Sequence, residues 1–361
     1  MKNISLRAGR FMALALVITG LGLGSCKKSE TTTVYGNWTR SSTYSGSARS
    51  EAVAFVINNI AYAGTGRNPA STAGVFNDFY SFDPSKGGWS QVTSMPTAAG
   101  VRYGAVAFTA NGKGYVGGGN NGNGTYLSDV WQFDPTQNTT TTVGTTTTTT
   151  VGRWTQVASL PVTLYGAVGG SINNVGIVGS GFDGSNNTNV FYQFNNGAWS
   201  QLPVPFPGDK RTGASAFVAA NQFYVVGGSN NSANVTDVYA YDASATKWTA
   251  KRFLRSVSNS TETYDYSGVA RSQAVAFTVN DKGYVAVGGS TLTTCYEYSP
   301  ADDSWTLKNP ISGSTGTGAT GTARNNAVGF GIGSYGYLGL GVNGSTRLDD
   351  FYRFAPNDAQ E

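Results

Sequence analysis

The sequence contains no histidine among its 361 residues. Histidine is the side chain most often used as a general base and the commonest metal ligand, because its ring titrates near neutral pH. A Ser-His-Asp or Cys-His catalytic arrangement is therefore excluded. No glycine-rich nucleotide loop leads from a strand into a helix either. We accordingly expect no bound metal and no cofactor.

Cysteine and long apolar runs are also scarce. One apolar run, residues 11–23, is too short to span a bilayer as a permanent helix and follows Lys2, Arg7 and Arg10, the charge order of a secretory leader. The leader ends in Leu23-Gly-Ser-Cys26, small residues before a cysteine. This ending resembles the lipobox of bacterial lipoproteins; the alternative is an ordinary signal peptide with an incidental cysteine.

The lipobox resemblance implies that residues 1–25 are removed and that Cys26 becomes the acylated first residue. Residues 26–36 are then a polar tether to the membrane, and an intrachain disulfide is excluded because Cys295 has no remaining partner. Lys27 stands where an aspartate would signal inner-membrane retention, so the resemblance favours the outer membrane, on either its periplasmic face or the cell surface.

The basic character of the chain belongs mostly to the leader. Three of the 24 basic residues and none of the 20 acidic ones lie in it, so the exported chain has a formal charge of +1. No basic run remains that would indicate nucleic acid as a partner. We expect a monomer.

What the chain does contain is a sixfold repeat. Its clearest copy places two short apolar runs, 274–279 and 283–287, on either side of the turn residues Asn280 and Asp281, the pattern of a β-hairpin. The hairpin begins six times with a related motif: Arg49-Ser-Glu-Ala-Val-Ala-Phe55, Arg102-Tyr-Gly-Ala-Val-Ala-Phe108, Leu164-Tyr-Gly-Ala-Val-Gly-Gly170, Arg211-Thr-Gly-Ala-Ser-Ala-Phe217, Arg271-Ser-Gln-Ala-Val-Ala-Phe277 and Arg324-Asn-Asn-Ala-Val-Gly-Phe330.

Each hairpin is followed by an alternating aromatic strand and, in five copies, by a strand that carries tryptophan: Trp89, Trp154, Trp199, Trp248 and Trp305. Four strands per copy predict an all-β fold, a six-bladed β-propeller with four-stranded antiparallel blades over residues 37–361. The sixth copy lacks its tryptophan strand, whereas Trp38 precedes the first hairpin. The strand around Trp38 is thus predicted to complete the last blade and close the ring. Seven blades with a cryptic repeat would be the alternative.

These repeats resemble the kelch motif, with paired glycines after the second strand, a downstream aromatic and a fourth-strand tryptophan. The glycine pair is present at 227–228 and 288–289, and the copies at 64–66, 179–181 and 339–341 are interrupted. The resemblance implies a kelch propeller but no particular function. The galactose oxidases share this scaffold yet need histidine ligands for copper, which this chain lacks. Bacterial sialic acid epimerases share the six-bladed plan.

Two insertions lengthen the repeats. Residues 136–152, almost all threonine, have too little apolar content to pack and are predicted to form a mobile loop. Residues 250–268 carry charges and aromatics and are interpreted as a functional loop. The second-to-third-strand loops and the blade-to-blade loops, including the flexible-looking 308–323, share one face, the loop-rich face.

Five of the six hairpins open with arginine, and first strands line the channel of a propeller. The predicted binding residues are therefore a basic ring at the loop-rich face, suited to a carboxylate ligand: Arg49, Arg102, Arg211, Arg271 and Arg324. Kelch adaptors of eukaryotic ubiquitin ligases hold acidic peptides with arginines at this position. The alternative is that each arginine is structural and bonds loop carbonyls or the third-strand aspartates Asp78, Asp129, Asp237 and Asp350.

Three further residues are candidates. Glu51 is the one carboxylate in the six first-strand motifs and could act as an acid or base near the channel. Tyr264 and Tyr266 lie in the 250–268 insertion and are candidates for stacking on a sugar.

Three functions remain open. The leading hypothesis is a lipid-anchored recognition module of the envelope that binds a polar or acidic glycan or peptide at the arginine-bearing face. The second is an enzyme acting on a free acidic sugar, such as a sialate epimerase or mutarotase, with Glu51 and nearby arginines as the catalytic set. The third is a protein–protein assembly scaffold.

Overall fold

The computed structural model describes residues 34–289, 292–313 and 321–360. These residues form six four-stranded antiparallel sheets, and their helical content is confined to two 3₁₀ turns, Thr97–Ala99 and Ser267–Val269. The first strands of successive blades are neighbours around a central channel. The predicted six-bladed propeller is confirmed.

The blades follow one another along the chain, and blades one to five each run from the innermost strand to the outermost. Blade one contains Val53–Ile57, Ile60–Gly64, Phe79–Asp83 and Gly88–Val92. Blade two contains Val106–Ala110, Lys113–Gly117, Val130–Val143 and Thr146–Val157. Blade three contains Val168–Ile172, Val175–Gly179, Phe191–Asn195 and Ala198–Gln201.

The second half of the chain repeats the plan. Blade four contains Ser215–Ala219, Gln222–Val226, Val238–Asp242 and Lys247–Ala250. Blade five contains Val275–Val279, Lys282–Ala286, Cys295–Ser299 and Ser304–Lys308. Blade six contains Val328–Ile332, Tyr335–Gly339, Phe351–Ala359 and Tyr35–Arg40.

Short two-stranded ribbons sit in the loops. They pair Arg67–Asn68 with Gly74–Val75, Ser229–Asn230 with Ala233–Asn234, Ser256–Ser258 with Thr263–Asp265, and Val342–Asn343 with Thr346–Arg347. No helix in the described ranges is long and apolar enough to cross a membrane. The leader, Cys26 and the tether up to residue 33 lie outside the described residues, as do residues 314–320 of the predicted flexible loop.

Asparagine shapes the inner hairpins. In blade one, Ile57 pairs with Ile60, which leaves a two-residue turn of Asn58 and Asn59 with φ of 51° and 62°. Both values lie in the left-handed region that a type I′ turn requires and that asparagine tolerates better than most residues. The predicted turn residues Asn280 and Asp281 adopt the same conformation, with φ of 49° and 61°.

One glycine after each second strand joins neighbouring blades. Gly66 has φ of 89°, and its N–H donates to the carbonyl of Arg102 in the next blade at 2.8 Å. A Cβ atom on Gly66 would lie 2.7 Å from the carbonyl oxygen of Ser50. The five equivalent glycines make the same bond to the next blade: Gly119, Gly181, Gly228, Gly288 and Gly341. The blades with an interrupted glycine pair thus keep the second glycine, which makes this hydrogen bond. In blade five the bonding glycine is Gly288, so the positions equivalent to the glycine pair of blade four are Val287 and Gly288.

The N-terminal strand closes the ring, as predicted. Trp38 pairs with Phe354, and their ring centroids are 4.5 Å apart. The Trp38 indole is 1% exposed, and its Nε1 donates to the carbonyl of Asn309 in blade five at 2.9 Å. In the other blades the fourth-strand tryptophan pairs with the equivalent third-strand aromatic, as Trp89 does with Phe82.

The prediction of a mobile loop at 136–152 is wrong. The third and fourth strands of blade two continue into this segment as a ribbon, with Thr139 paired to Thr150 and Val143 to Thr146. Threonine is β-branched and favours strands, and Thr140 and Thr149 share a hydroxyl hydrogen bond of 3.2 Å across the ribbon. Composition indicated only that the segment cannot enter a core; it carries no information on pairing.

Candidate functional site

The five motif arginines do not form an open basic ring. Arg49, Arg102, Arg211 and Arg324 are fully buried, and Arg271 is 3% exposed. Each sends Nη1 to the carbonyl sixteen residues further on, such as Thr65 for Arg49 at 3.0 Å. Four of them also bind the carboxylate just before the third strand of their own blade: Arg49–Asp78, Arg102–Asp129, Arg211–Asp237 and Arg324–Asp350. These contacts match the structural alternative, and the prediction of an open basic ring is wrong.

Blades three and five lack the arginine–aspartate ion pair and show which residues can replace it. Blade three has Leu164 in place of the arginine and Val190 in place of the aspartate, and Leu164 is fully buried. In blade five Arg271 keeps its place, but the acid is replaced by Thr294, whose Oγ1 accepts a hydrogen bond from Nη2 at 3.0 Å. The site is therefore a brace between the loop and the third strand, which an apolar pair can replace.

The third residue of each hairpin motif, two places after the arginine or after Leu164 in blade three, forms the channel mouth. These six residues are Glu51, Gly104, Gly166, Gly213, Gln273 and Asn326, one from each blade. Each donates its N–H to the carbonyl of the preceding blade's residue at 2.7–3.1 Å, so six backbone hydrogen bonds run in a closed circle. All six have positive φ, between 51° and 61°. Glycine takes this conformation without cost, whereas side chains there carry strain.

The three non-glycine residues of the channel mouth occupy one arc. Gln273, Asn326 and Glu51 come from blades five, six and one, and the glycines come from blades two to four. A cavity of about 180 Å³ lies here and is also lined by Tyr165, Thr212 and Ser229. A second cavity of about 180 Å³ continues into the channel between first-strand residues, mainly alanines. Polar side chains that can bind a ligand are thus concentrated at the mouth.

The Glu51 carboxylate is buried in the cavity and is fixed by hydrogen bonds to two side chains. It is 8% exposed; its Oε1 accepts hydrogen bonds from Arg67 Nε at 2.8 Å, and its Oε2 accepts one from the Tyr165 hydroxyl at 2.6 Å. Burial, and then the negative charge of Glu51, raises the pKa of Tyr165, so its hydroxyl stays protonated and donates. Burial alone would lower the pKa of Arg67, but the Glu51 carboxylate outweighs it and the pKa is raised. Glu51 thus lies at the channel mouth, and its role as an acid or base stays a prediction.

Four aromatic side chains form a wall beside the glycine arc, the aromatic wall: Tyr103, Tyr126, Tyr165 and Phe182. Tyr165 lies across Gly104, where a Cβ atom would come within 2.2 Å of its ring. The Tyr165 ring centroid is 5.8 Å from that of Tyr103 and 6.0 Å from that of Tyr126. Tyr126 in turn is 5.2 Å from Phe182. All four are half-buried.

The predicted stacking tyrosines lie elsewhere. Tyr264 and Tyr266 stack on each other with centroids 4.6 Å apart, and the Arg252 guanidinium lies over Tyr264 at 5.5 Å. Tyr266 packs against the hydrophobic core next to blade five. Neither lines the cavity at the channel mouth.

Among the described residues no group of three or more carboxylate or cysteine side chains could hold a metal ion. Cys295 is fully buried, and burial raises the pKa of its thiol to about 12. The thiol is therefore protonated at neutral pH and is a poor nucleophile.

Two features of the sequence could have distinguished the structural arginines from the residues that face the channel mouth. The one hairpin without arginine also lacks the third-strand aspartate, which is what a contact between the two would produce. The third motif position holds glycine three times and asparagine once, the residues that adopt positive φ most readily.

Comparisons with known proteins agree with this architecture. A family model described as the Kelch motif matches residues 102–139 and 210–251. The proteins named N-acetylneuraminate epimerase from Shigella sonnei and Escherichia coli K12 are 33% and 35% identical over 109 residues. This segment covers 28% of this chain and only 29% of the length of each relative.

A likeness over nearly the whole propeller comes from a solved structure. That of YjhT is similar with a TM-score of 0.62 and 14% identity, over 85% of this chain and 95% of that chain. At this identity the likeness concerns the fold. The chain is therefore a six-bladed β-propeller with matches to the Kelch motif in blades two and four.

Proposed function

We propose that this protein is a carbohydrate-binding propeller that holds one sugar ring at the channel mouth. The observation that carries the proposal is the arc of Glu51, Asn326 and Gln273 in a cavity of about 180 Å³. Pockets for drug-sized ligands hold about 300–1,000 Å³, so this cavity suits a single ring. Carboxylate and amide side chains accept and donate the hydrogen bonds that sugar hydroxyls offer.

The charges of the mouth favour a polar ligand over a strongly charged one. The Glu51 carboxylate is matched by Arg67, whose side chain is 34% exposed. An acidic sugar would have to place its carboxylate away from the Glu51 carboxylate. The relatives named N-acetylneuraminate epimerase make an acidic sugar the first to be tried.

Titration calorimetry with N-acetylneuraminate, N-acetylmannosamine, N-acetylglucosamine and galactose tests the proposal. We expect at least one to bind, and Asn326→Ala and Gln273→Ala to weaken it by about tenfold each, the equivalent of one hydrogen bond of about 1.4 kcal/mol. Arg252→Ala, in the outer loop, is the matched control and should bind normally. If none of the four binds at about 10 mM, a very weak affinity by any standard, the proposal is wrong and an assembly scaffold becomes the better account.

A second candidate is exchange between the anomers of a free sugar. Opening a cyclic hemiacetal breaks the bond between the anomeric carbon and the ring oxygen, with a proton leaving the anomeric hydroxyl and a proton reaching the ring oxygen. The paired Glu51 carboxylate and Tyr165 hydroxyl, 2.6 Å apart at the cavity, favour this chemistry. Glu51 would accept the proton of the anomeric hydroxyl and return it to the ring oxygen. The hydrogen bond from Tyr165 would position the Glu51 carboxylate.

Magnetisation-exchange NMR of N-acetylneuraminate measures this reaction directly. We expect faster anomer exchange with the wild-type protein, lost in Glu51→Gln and shifted in its pH profile in Tyr165→Phe. Binding without faster exchange would leave recognition as the function and exclude catalysis.

We further propose that the protein is a lipoprotein of the outer membrane, anchored through Cys26. The support is the order of charge, apolar run and small residues in 1–26. Mass spectrometry of the mature N-terminus tests it: an acylated Cys26 is expected, and an unmodified N-terminus after Cys26 would contradict it. Protease treatment of intact cells would then distinguish the two faces of the membrane.

A further inference from the structure

The aromatic wall extends beyond the cavity. Tyr165 lines the channel mouth, but Tyr126 and Phe182 do not. They continue from it in the second-to-third-strand loops of blades two and three. Their rings follow one another outward, 6.0 Å from Tyr165 to Tyr126 and then 5.2 Å to Phe182.

Packing between the blades does not account for these rings. The hydrophobic cores take up the third-strand aromatics and tryptophans, but none of the four wall residues belongs to any core cluster of the described chain. Tyr266, by contrast, packs against such a core. Half-buried aromatics outside a core, next to a polar pocket, are typical of binding surfaces.

Amide groups border this surface. Asn187 forms a backbone bridge with Phe182, and its Nδ2 donates to Asn230 Oδ1 at 3.2 Å. Aromatic faces next to amide groups match a sugar ring, which presents C–H groups on its faces and hydroxyls at its edge.

We propose that Tyr126 and Phe182 form a second sugar subsite, so that the natural ligand is a glycan of at least two units. One ring occupies the channel mouth and the next stacks on Tyr126 and Phe182. This inference rests on the proposed binding of a sugar at the mouth and adds the length of the ligand to it.

The test compares each monosaccharide with its own dimer by titration calorimetry on the whole protein. The pairs are N-acetylneuraminate with disialic acid, and N-acetylglucosamine with N,N′-diacetylchitobiose. For the sugar that binds, we expect the dimer to bind about tenfold more tightly, in the range of one aromatic contact. Tyr126→Ala with Phe182→Ala should remove this gain and leave the monosaccharide affinity unchanged.

Three further variants control for folding and for the location of the subsite. Tyr126→Phe keeps the ring and should keep the gain, and Phe182→Leu keeps an apolar side chain without a flat face and should reduce it. Tyr264→Ala with Tyr266→Ala removes a stacked pair that does not line the mouth and should leave both sugar affinities unchanged. A dimer that binds no better than its monomer, or a gain that survives loss of both wall rings, overturns the second subsite alone. If no member of either pair binds, and N-acetylmannosamine and galactose do not bind either, the mouth site is overturned as well.

Discussion

The arginine–aspartate brace can be tested by replacing it with the apolar residues that blade three has at the same two positions. In blade six, Arg324 binds Asp350 through two hydrogen bonds, with Nη1 to Oδ1 at 2.5 Å and Nη2 to Oδ2 at 3.0 Å. The Arg324 side chain is fully buried and that of Asp350 is 15% exposed. Asp350→Val leaves a buried guanidinium without its counter-ion, which costs about 3–5 kcal/mol for such pairs.

The double variant Arg324→Leu, Asp350→Val reproduces the pair that blade three carries as Leu164 and Val190. Replacing both partners of a buried pair by apolar residues is often neutral, so its free energy of unfolding should lie within about 1 kcal/mol of the wild type. Urea unfolding followed by tryptophan fluorescence measures all three proteins. If the single and the double variant lose the same stability, the brace is not a pair, and the structural assignment of the arginines fails.

Three other predictions follow from the fold. Trp38→Ala should cost about 3–5 kcal/mol, as large buried aromatics do, and a chain beginning at residue 41 should melt well below one beginning at 34; equal melts would contradict closure of the ring by this strand. Gly104→Ala should lower the melting temperature because of the tyrosine ring 2.2 Å from the new Cβ, whereas Gln273→Gly should be tolerated, since glycine relieves its positive φ. A hydrogen bond from Lys113 lowers the pKa of Asp134 to about 2. Its stabilisation is present above the unfolded-state pKa of about 3.9 and is lost as the pH falls from about 4 to 2; the melting temperatures of wild type and Asp134→Asn should converge over that range, and parallel curves would refute the pair.

The sequence was sufficient to predict the propeller because its strands repeat. The hairpin turns, the six copies and the pairing of Trp38 with the last blade all follow from local pattern and from the need to cover a sheet edge. The threonine ribbon did not follow, because β-branched residues outside a core can be either loop or strand until they find a partner.

The site was harder to predict because a repeated motif does not reveal which of its residues faces the channel. Arg49 and Glu51 are two residues apart, yet the arginine turns into the blade and the glutamate lies at the mouth. The positive φ at Glu51 produces this difference. The aromatic wall combines Tyr165 from one motif with Tyr126 and Phe182 from two loops, and these residues meet only when blades two and three pack side by side.

A crystal structure of the protein with a sugar that binds in solution would show whether a sugar ring binds at the channel mouth. We expect density for one ring within hydrogen-bond distance of Glu51 and Asn326, next to Tyr165. An empty mouth with the sugar on the Tyr264–Tyr266 pair, or anywhere else on the propeller, would contradict it.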